Sequence, residues 1–221
     1  MLFDLGSGAF ANLRLALDYP RLDAVVISHM HADHFLDLVP LRYGLRYGPQ
    51  LRDSRLPLWL PPGGAAMLRR LCAAFDAQEG GDFLDRVYDV REYDPAAALE
   101  VGDVRLTFAA ATHFVEAYAI RAESGSEAFT YSGDTAPSDS VVELARGSAL
   151  FLCEATLGLG TENGRRGHSS AAEAGEMARR GGVGRLALTH YAEAPELLVE
   201  AASRTFGGPV TAVDDGFECE L

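Results

Sequence analysis

Three histidines and one aspartate are concentrated in the segment His29-Met30-His31-Ala32-Asp33-His34, directly after an apolar run. Imidazole and carboxylate groups are ligands that suit zinc, iron or manganese. In a turn, the side chains at 29 and 31 can point to one metal ion while those at 33 and 34 point to a second. The alternative is a solvated polar loop with a chance excess of histidine. The density of ligand groups favours a metal site.

Three further side chains of metal-ligating type, His113, Asp134 and His190, each follow a segment with the pattern of a strand. Taken alone, a histidine such as His113 is typical of a structural position, and Asp134 is typical of an Asx turn or a helix cap. Together with the histidine-rich segment they make four strand-end sites. Ligands gathered from several strand ends are how a rigid sheet fixes a metal pair, so we expect these positions to act together.

The surrounding sequence predicts the elements that hold these side chains. The apolar run within 21–28 predicts a buried strand, and helical spacing after residue 34 predicts a helix that Pro40 kinks or delays. A short strand at 57–60 and a helix to about Phe75 follow. Four strands are predicted in the middle region, at 87–91, 104–110, 117–122 and 128–132.

After Gly133 the pattern alternates between helices and strands. Helices are predicted at 140–146, 171–180 and 196–204, and strands at 149–154, 185–189 and near Val210. Strands that alternate with helices in both halves predict sheets covered by helices, an α/β class of fold. A chain of 221 residues is long enough for one sizeable core, so we expect a single domain over 1–221.

The histidine-rich segment resembles the signature His-x-His-x-Asp-His of the metallo-β-lactamase superfamily. Asp4, His113, Asp134 and His190 match the other motifs of that superfamily in the right order, over essentially the whole chain. The resemblance implies a four-layer αββα sandwich of two mixed β-sheets flanked by helices. The sequence opens directly at Leu2-Phe3-Asp4-Leu5-Gly6, so we expect it to lack the N-terminal strand that is usual in the family.

The resemblance also implies a ligand set for two divalent metal ions. Zinc is the first choice, with manganese and iron as alternatives. One ion would be held by His29, His31, His113 and Asp134, and the other by Asp33, His34, His190 and the shared Asp134. Asp33 would thereby also be a catalytic residue, and Asp4 would hold the histidine loop by hydrogen bonds.

Two metal ions lower the pKa of a bound water from about 15.7 toward roughly 7, which supplies a hydroxide nucleophile at neutral pH. A phosphodiester also needs a proton donor for its leaving oxygen. The candidate is His168, which precedes the capping-box pattern Ser170-Ala171-Ala172-Glu173. The alternative is that His168 only lines a loop at the start of a helix.

Cys153-Glu154-Ala155-Thr156 resembles the His-Glu-Ala-Thr box of the ribonuclease Z branch, with cysteine in the first position. That resemblance implies that Glu154 orients His168 and raises its pKa. Only 21 positions separate His113 from Asp134, which leaves no room for the long tRNA-grasping arm inserted there in ribonuclease Z. The expected function is therefore cleavage of a small phosphodiester, such as a cyclic nucleotide.

The composition limits the partners. With 19 basic and 32 acidic residues the net charge is -13, which opposes binding to long nucleic acids. No apolar stretch is long enough for a membrane helix and no signal-peptide pattern is present, so we expect a cytoplasmic protein with no membrane partner. Cys72, Cys153 and Cys219 are odd in number and far apart, which predicts reduced thiols. Analogy with ribonuclease Z predicts a homodimer.

The sequence also fits two other functions. The same metal site could cleave another bond, as a lactonase, a sulfatase, a β-lactamase-like enzyme or a ribonuclease without the arm. The protein could instead be a metal-binding redox protein, since some members of the superfamily hold a di-iron centre and act with flavin partners. Those members typically carry glutamate at the position of His31 and have an attached flavin domain, which 221 residues cannot hold.

Overall fold

The computed structural model describes residues 1–49 and 52–221, with the backbone alone for residues 77–79. The described chain forms two compact units, Met1–Asp94 and Pro95–Leu221. Each unit contains one β-sheet and several helices. The prediction of a mixed α/β fold with two sheets is confirmed. Within the described residues, none of the helices combines the length and apolar character that crossing a lipid bilayer requires.

The first unit carries a parallel sheet of four strands. In chain order its elements are β1 (Leu2–Phe3), α1 (Ala9–Ala16), a 3₁₀ turn (Tyr19–Arg21), β2 (Val25–Val26), α2 (Ala32–Phe35), α3 (Leu38–Tyr47), β3 (Leu56–Leu60), α4 (Gly64–Glu79) and β4 (Tyr88–Glu92). The strands pair in the order β1-β2-β3-β4. Parallel neighbours require crossover connections, and the helices supply them.

Two details of the first unit differ from the sequence-based expectation. The strand expected over 21–28 contains only Val25–Val26, although all of Ala24, Val25, Val26 and Ile27 are completely buried. The apolar run therefore reflects the burial of this segment in a parallel sheet and does not indicate the length of the strand. The helix expected after residue 34 is two helices, and Pro40 lies in the first turn of α3, where its missing N–H has no intrahelical partner to lose.

The second unit carries a mixed sheet of seven strands. In chain order its elements are β5 (Leu99–Val101), β6 (Val104–Ala110), β7 (Tyr118–Ser124), β8 (Glu127–Tyr131), α5 (Asp139–Ala145), β9 (Leu150–Glu154), α6 (Ala171–Gly181), β10 (Arg185–Thr189), α7 (Pro195–Phe206) and β11 (Val210–Ala212). Strands β5 to β8 form an antiparallel meander, and β8 to β11 are parallel. The helices α5, α6 and α7 are the crossovers between the parallel strands.

The topology of the second sheet brings the ends of four strands to one edge. Strands β8, β9 and β10 are parallel neighbours, and β6 runs in the same direction because two antiparallel pairings separate it from β8. Their carboxyl ends therefore point the same way. His113 follows β6, Asp134 follows β8, Glu154 ends β9 and His190 follows β10. All four residues therefore lie at the end of the sheet where these strands have their carboxyl ends.

Candidate metal centre

The predicted metal-ligating residues are divided between the two units. The histidine-rich segment lies in the first unit, between β2 and the end of α2, and its side chains converge. Nε2 of His29 lies 3.2 Å from Nδ1 of His31. The rings of His29 and His34 have centroids 4.0 Å apart, and Nε2 of His34 lies 3.6 Å from Oδ2 of Asp33. The four predicted ligands of this unit thus form one cluster.

The carboxylate of Asp4 orients this cluster through hydrogen bonds. It accepts hydrogen bonds from the Ser28 N–H at 2.7 Å, from the Ser28 hydroxyl at 2.7 Å and from Nδ1 of His34 at 2.7 Å. The Ser28 hydroxyl oxygen in turn accepts a hydrogen bond from Nδ1 of His29 at 3.0 Å. Both histidines therefore present Nε2 as the nitrogen with the lone pair, which is the nitrogen a metal ion needs.

Asp4 also adopts a costly backbone conformation. Its φ of 55° is in the left-handed region, and the only other non-glycine residue with a positive φ in the described parts of the chain is His190, at 57°. This conformation costs about 1–2 kcal/mol for a residue with a Cβ. Residues held in this way are concentrated at functional sites. Both of these residues were predicted site residues.

In the second unit, His113 and Asp134 face each other. The side chain of His113 is fully buried and its Nδ1 donates to the carbonyl of Gly167 at 2.7 Å. A carbonyl only accepts, so Nε2 of His113 carries the lone pair. That nitrogen lies 3.9 Å from Oδ2 of Asp134, which is itself buried. A buried nitrogen lone pair and a buried carboxylate at this separation form one side of a cation site.

His190 is fixed in the same way by a hydroxyl. Its Nδ1 hydrogen-bonds to Oγ1 of Thr156 at 2.7 Å and lies 3.8 Å from Oδ1 of Asp134. Asp134 is therefore near His113 through one oxygen and near His190 through the other. The two carboxylate oxygens of Asp134 therefore face different histidines.

Glu154 and His168 form a hydrogen-bonded pair beside Asp134. Nδ1 of His168 donates to Oε1 of Glu154 at 2.9 Å and lies 3.8 Å from Oδ2 of Asp134. The carboxylate of Glu154 is almost completely buried and also accepts from the N–H groups of Thr135 at 2.8 Å and Thr156 at 3.0 Å. These contacts fix the carboxylate, and the carboxylate fixes the ring of His168.

The electrostatics of this pair favour the imidazolium form. The hydrogen bond to Glu154 raises the pKa of His168 above its ordinary value, and burial of the ring opposes this effect more weakly. The negative charges of Glu154, Asp134 and Glu162 raise the pKa further. His168 is therefore suited to hold a proton at Nε2, the nitrogen that does not contact Glu154.

The loop before His168 is held by Glu162. Its carboxylate accepts from the N–H of Gly167 at 2.8 Å and from the N–H of His168 at 3.3 Å. These bonds lower the pKa of Glu162. The loop then runs into α6, whose predicted capping box of Ser170 and Glu173 is present. Arg166 secures the same turn through two hydrogen bonds of 2.8 Å to Glu173.

The donor set fits divalent metal ions. Two zinc ligands held at about 2.0–2.1 Å lie about 3.3 Å apart at the tetrahedral angle, which matches the separation of the ligand nitrogens of His29 and His31. Nδ1 of His29, His34 and His113 is engaged in hydrogen bonds, which leaves Nε2 of each ring for a metal ion, as is usual for metal-ligating histidines. Neutral imidazoles with aspartates suit zinc, manganese or iron.

The residue types alone did not predict the side chains and carbonyl that orient the proposed ligands. Ser28, Thr156 and the carbonyl of Gly167 fix the rings of His29, His190 and His113. Thr156 carried a signal, since it belongs to the segment that contains Glu154, but a backbone carbonyl such as that of Gly167 has no signature in the residue type. Glu162 was missed for the same reason, because its partners are backbone N–H groups.

Several known proteins resemble this chain over most of its length. A family profile described as a beta-lactamase superfamily domain matches residues 1–191. The protein Rv1339 of Mycobacterium tuberculosis is 34% identical over 225 residues, which cover 99% of this chain and 81% of that protein. The ribonuclease Z of Methanothermobacter thermautotrophicus is 30% identical over 269 residues, which cover 97% of this chain and 84% of the relative.

The relative YhfI of Bacillus subtilis, named as a probable metallo-hydrolase, is 28% identical over 224 residues, covering 100% of this chain and 87% of YhfI. Its crystal structure, described as a metallo-beta-lactamase fold protein, has a TM-score of 0.86 to this chain at 27% identity, over 98% of this chain and 85% of that one. The matches extend over nearly the full length of the chain. The chain therefore belongs to the beta-lactamase superfamily and is a metal-dependent hydrolase.

Proposed function

We propose that the protein is a dinuclear metal-dependent phosphodiesterase that cleaves a small diester such as a cyclic nucleotide. The observation that carries this proposal is the pair of Glu154 and His168, 2.9 Å apart, beside the buried carboxylate of Asp134. Hydrolysis of an alkyl phosphodiester expels an alkoxide, which needs a proton. A histidine whose pKa is raised by a buried carboxylate is a suitable donor for that proton.

The ligands proposed for the metal pair are those that the family signature implies. One ion would be held by His29, His31, His113 and Asp134, and the other by Asp33, His34, His190 and Asp134. Two divalent ions in such a site supply an activated water and neutralise charge on the phosphoryl group. Zinc is the first choice, with manganese and iron as alternatives.

The chain's own residues then have separate tasks. Asp4 and Ser28 keep the ligand nitrogens of His29 and His34 aimed outward. Glu154 holds His168 so that Nε2 presents its proton to the leaving oxygen. After the bond breaks, His168 is left neutral and regains its proton from solvent. Asp33, with a side chain that is 60% exposed, is the most accessible carboxylate of the first cluster.

Support for a small substrate comes from the segment between His113 and Asp134. A short loop and the hairpin of β7 and β8 occupy all of it, so no arm extends from this position. The net charge of -13 disfavours a long polyanion as well. One relative is named a ribonuclease Z, so ribonuclease activity is an alternative function for this chain. Cleavage of another ester is a second alternative, and a panel of substrates would distinguish them. A homodimer in the cytoplasm stays a prediction from the sequence.

The test compares two diesters with different leaving groups on protein loaded with zinc or manganese. His168→Ala should lower kcat for a cyclic nucleotide by about 100- to 10,000-fold, because general acid catalysis typically contributes that much. The loss should be much smaller for bis-p-nitrophenyl phosphate, whose p-nitrophenolate leaves without a proton. Metal content, measured by atomic emission, should stay at the wild-type value.

Two outcomes would contradict the proposal. Equal losses on the two diesters would remove His168 from the role of acid. Hydrolysis of lactones or β-lactams by the wild type, with neither diester cleaved, would replace the phosphodiesterase by another metal-dependent hydrolase. All six histidines of the chain belong to the predicted site, so the metal content of each variant serves as the control for structural damage.

A further inference from the structure

An exposed phenylalanine is next to two imidazole rings of the candidate site. The residue is Phe114, which is 38% exposed. Its ring centroid is 5.3 Å from that of His113 and 5.8 Å from that of His168, with interplanar angles of 50° and 64°. Single exposed apolar residues are common on protein surfaces and need no explanation. An exposed ring in contact with the proposed acid is different, because any leaving group that approaches His168 also meets this ring.

The ring of Phe114 packs closely against the backbone of Gly167. A Cβ at position 167 would overlap the Phe114 ring, so only glycine lets the ring lie this close to the backbone. The carbonyl of that same Gly167 accepts the hydrogen bond from His113. The carbonyl of Phe114 accepts from Nη2 of Arg165 at 2.9 Å. The ring thus packs on a backbone that is itself tied by hydrogen bonds to His113 and Arg165.

Arg165 places a positive charge beside the ring. Its guanidinium carbon lies 5.9 Å from the centroid of Phe114, and the side chain is exposed. Its sequence neighbour Arg166 is bound by both oxygens of Glu173, whereas Arg165 contacts no carboxylate within the described parts of the chain. In a protein with a net charge of -13, an arginine that is left available beside the site attracts an anionic or π-rich ligand.

We propose that Phe114 and Arg165 form a platform for the base of a nucleotide diester. The base stacks on the exposed face of the Phe114 ring, and the guanidinium of Arg165 contacts the edge of the base or a phosphate oxygen. This inference rests on the proposed phosphodiesterase function and narrows its substrate class to nucleotides. The platform is a binding element and acts on selectivity, while His168 performs the proton transfer.

The kinetic test compares a nucleoside 3′,5′-cyclic phosphate with a base-free analogue, the methyl riboside 3′,5′-cyclic phosphate. Stacking of a base on an aromatic side chain contributes about 5- to 100-fold in affinity. Phe114→Leu should therefore raise KM for the nucleotide by about that factor and leave the base-free analogue unchanged. Phe114→Tyr should restore the nucleotide KM. Arg165→Gln should raise the same KM to a smaller extent.

Tyr47→Leu is the matched control, since Tyr47 is an aromatic residue that is 61% exposed on α3 of the other unit. This variant should leave KM unchanged for both the nucleotide and the base-free analogue. If Phe114→Leu lowered kcat/KM equally for the nucleotide and the base-free analogue, the ring would have only a structural role and the platform would be rejected. An unchanged nucleotide KM in Phe114→Leu would reject it as well.

A binding measurement separates failure of the platform from failure of the proposed function. The fluorescence of 1,N6-ethenoadenosine monophosphate is quenched when its base stacks on an aromatic ring, and the measurement needs no turnover. Quenching that is lost in Phe114→Leu and kept in Phe114→Tyr would support the platform even if no diester were hydrolysed. Diester hydrolysis by the wild type, together with equal quenching in wild type and Phe114→Leu, would leave the function standing and overturn the platform.

Discussion

The pKa of His168 is set by opposing influences. The hydrogen bond to Glu154 raises the pKa of the imidazole, partial burial lowers it, and the first effect is the larger. An acid must be protonated to act, so activity is lost as the pH rises through its pKa. A raised pKa therefore extends activity toward higher pH, and a variant without the carboxylate should lose activity at a lower pH.

Glu154→Gln tests this sign. The variant removes the negative charge but keeps an oxygen that accepts hydrogen bonds, so we expect the alkaline limb of kcat against pH to move to lower pH, with the largest loss of rate above neutrality. The measurement is a pH–rate profile on a cyclic nucleotide with saturating metal. Glu176→Gln, which removes an exposed carboxylate paired with Arg179, should leave the profile in place. A profile for Glu154→Gln that matches the wild type would disprove the coupling.

The residue types predicted much of the candidate site. They did not predict the hydrogen-bond partners that orient its histidine rings. Histidine and aspartate after strand ends are recognisable by type and position, and the structure groups His29 with His34 and Asp134 with His190. The partners that set the ring orientation could not be predicted, because hydroxyl groups such as Thr156 and backbone carbonyls such as that of Gly167 occur throughout any sequence.

At the scale of elements, the turn after β1 is tied to the histidine loop. The N–H of Leu5 donates to the carbonyl of His34 at 2.7 Å, and the N–H of Asp37 donates to the carbonyl of Leu5 at 3.1 Å. Gly6 lies so close to this loop that a Cβ would overlap the carbonyl of Asp33. The packing of β1 against the loop therefore depends on a glycine at this position.

Gly6→Ala should displace the loop that carries the ligands. We expect a loss of about 1–3 kcal/mol in the free energy of unfolding, as for other substitutions that overpack a tight contact. Metal content should fall with it. Denaturant unfolding and atomic emission measure the two effects. Gly181→Ala, at the last residue of α6, is the control, because its added Cβ would lie no closer than 3.3 Å to Val183 Cγ1 and 3.4 Å to the carbonyl oxygen of Val142, whereas a Cβ at position 6 would lie 1.7 Å from the carbonyl oxygen of Asp33. Wild-type stability and metal content in Gly6→Ala would contradict this account of the turn.

Most of the elements could be predicted because apolar periodicity and turn residues agree along the chain. Strand β6 was predicted with its observed limits, 104–110, and α6 and α7 to within two residues at each end. Helix α1 and the three-residue strand β5 were not predicted. Only Leu13 of α1 is buried and β5 has no fully buried residue, so neither has the apolar pattern that distinguishes an element from a loop.

The three thiols of the molecule differ in their surroundings. Cys72 and Cys153 are buried, and burial raises the pKa of Cys72 to about 11 and raises that of Cys153 well above its ordinary value. Cys219 is exposed near the carboxyl end. Because the thiolate is the reactive form, the two buried cysteines should be inert in the folded protein.

Titration with a disulfide reagent at neutral pH should therefore detect one thiol in the native protein and three after unfolding in urea. Cys219→Ser should abolish the native reaction and leave two thiols in urea. Rapid reaction of a second thiol in the folded state would show that Cys72 or Cys153 is reached through opening of its unit. No reaction after unfolding would contradict the prediction that all three cysteines are reduced.

The left-handed backbone at His190 has a consequence for the improvement of this enzyme. The chain gives up about 1–2 kcal/mol by placing a side chain there, and glycine would recover most of it. Natural proteins stay just above the stability that function requires, and stabilising changes at active sites commonly cost activity. Laboratory evolution for heat resistance alone is therefore expected to replace His190 by glycine or asparagine. Since His190 is a proposed metal ligand, a screen that omits turnover would then select stable variants without activity.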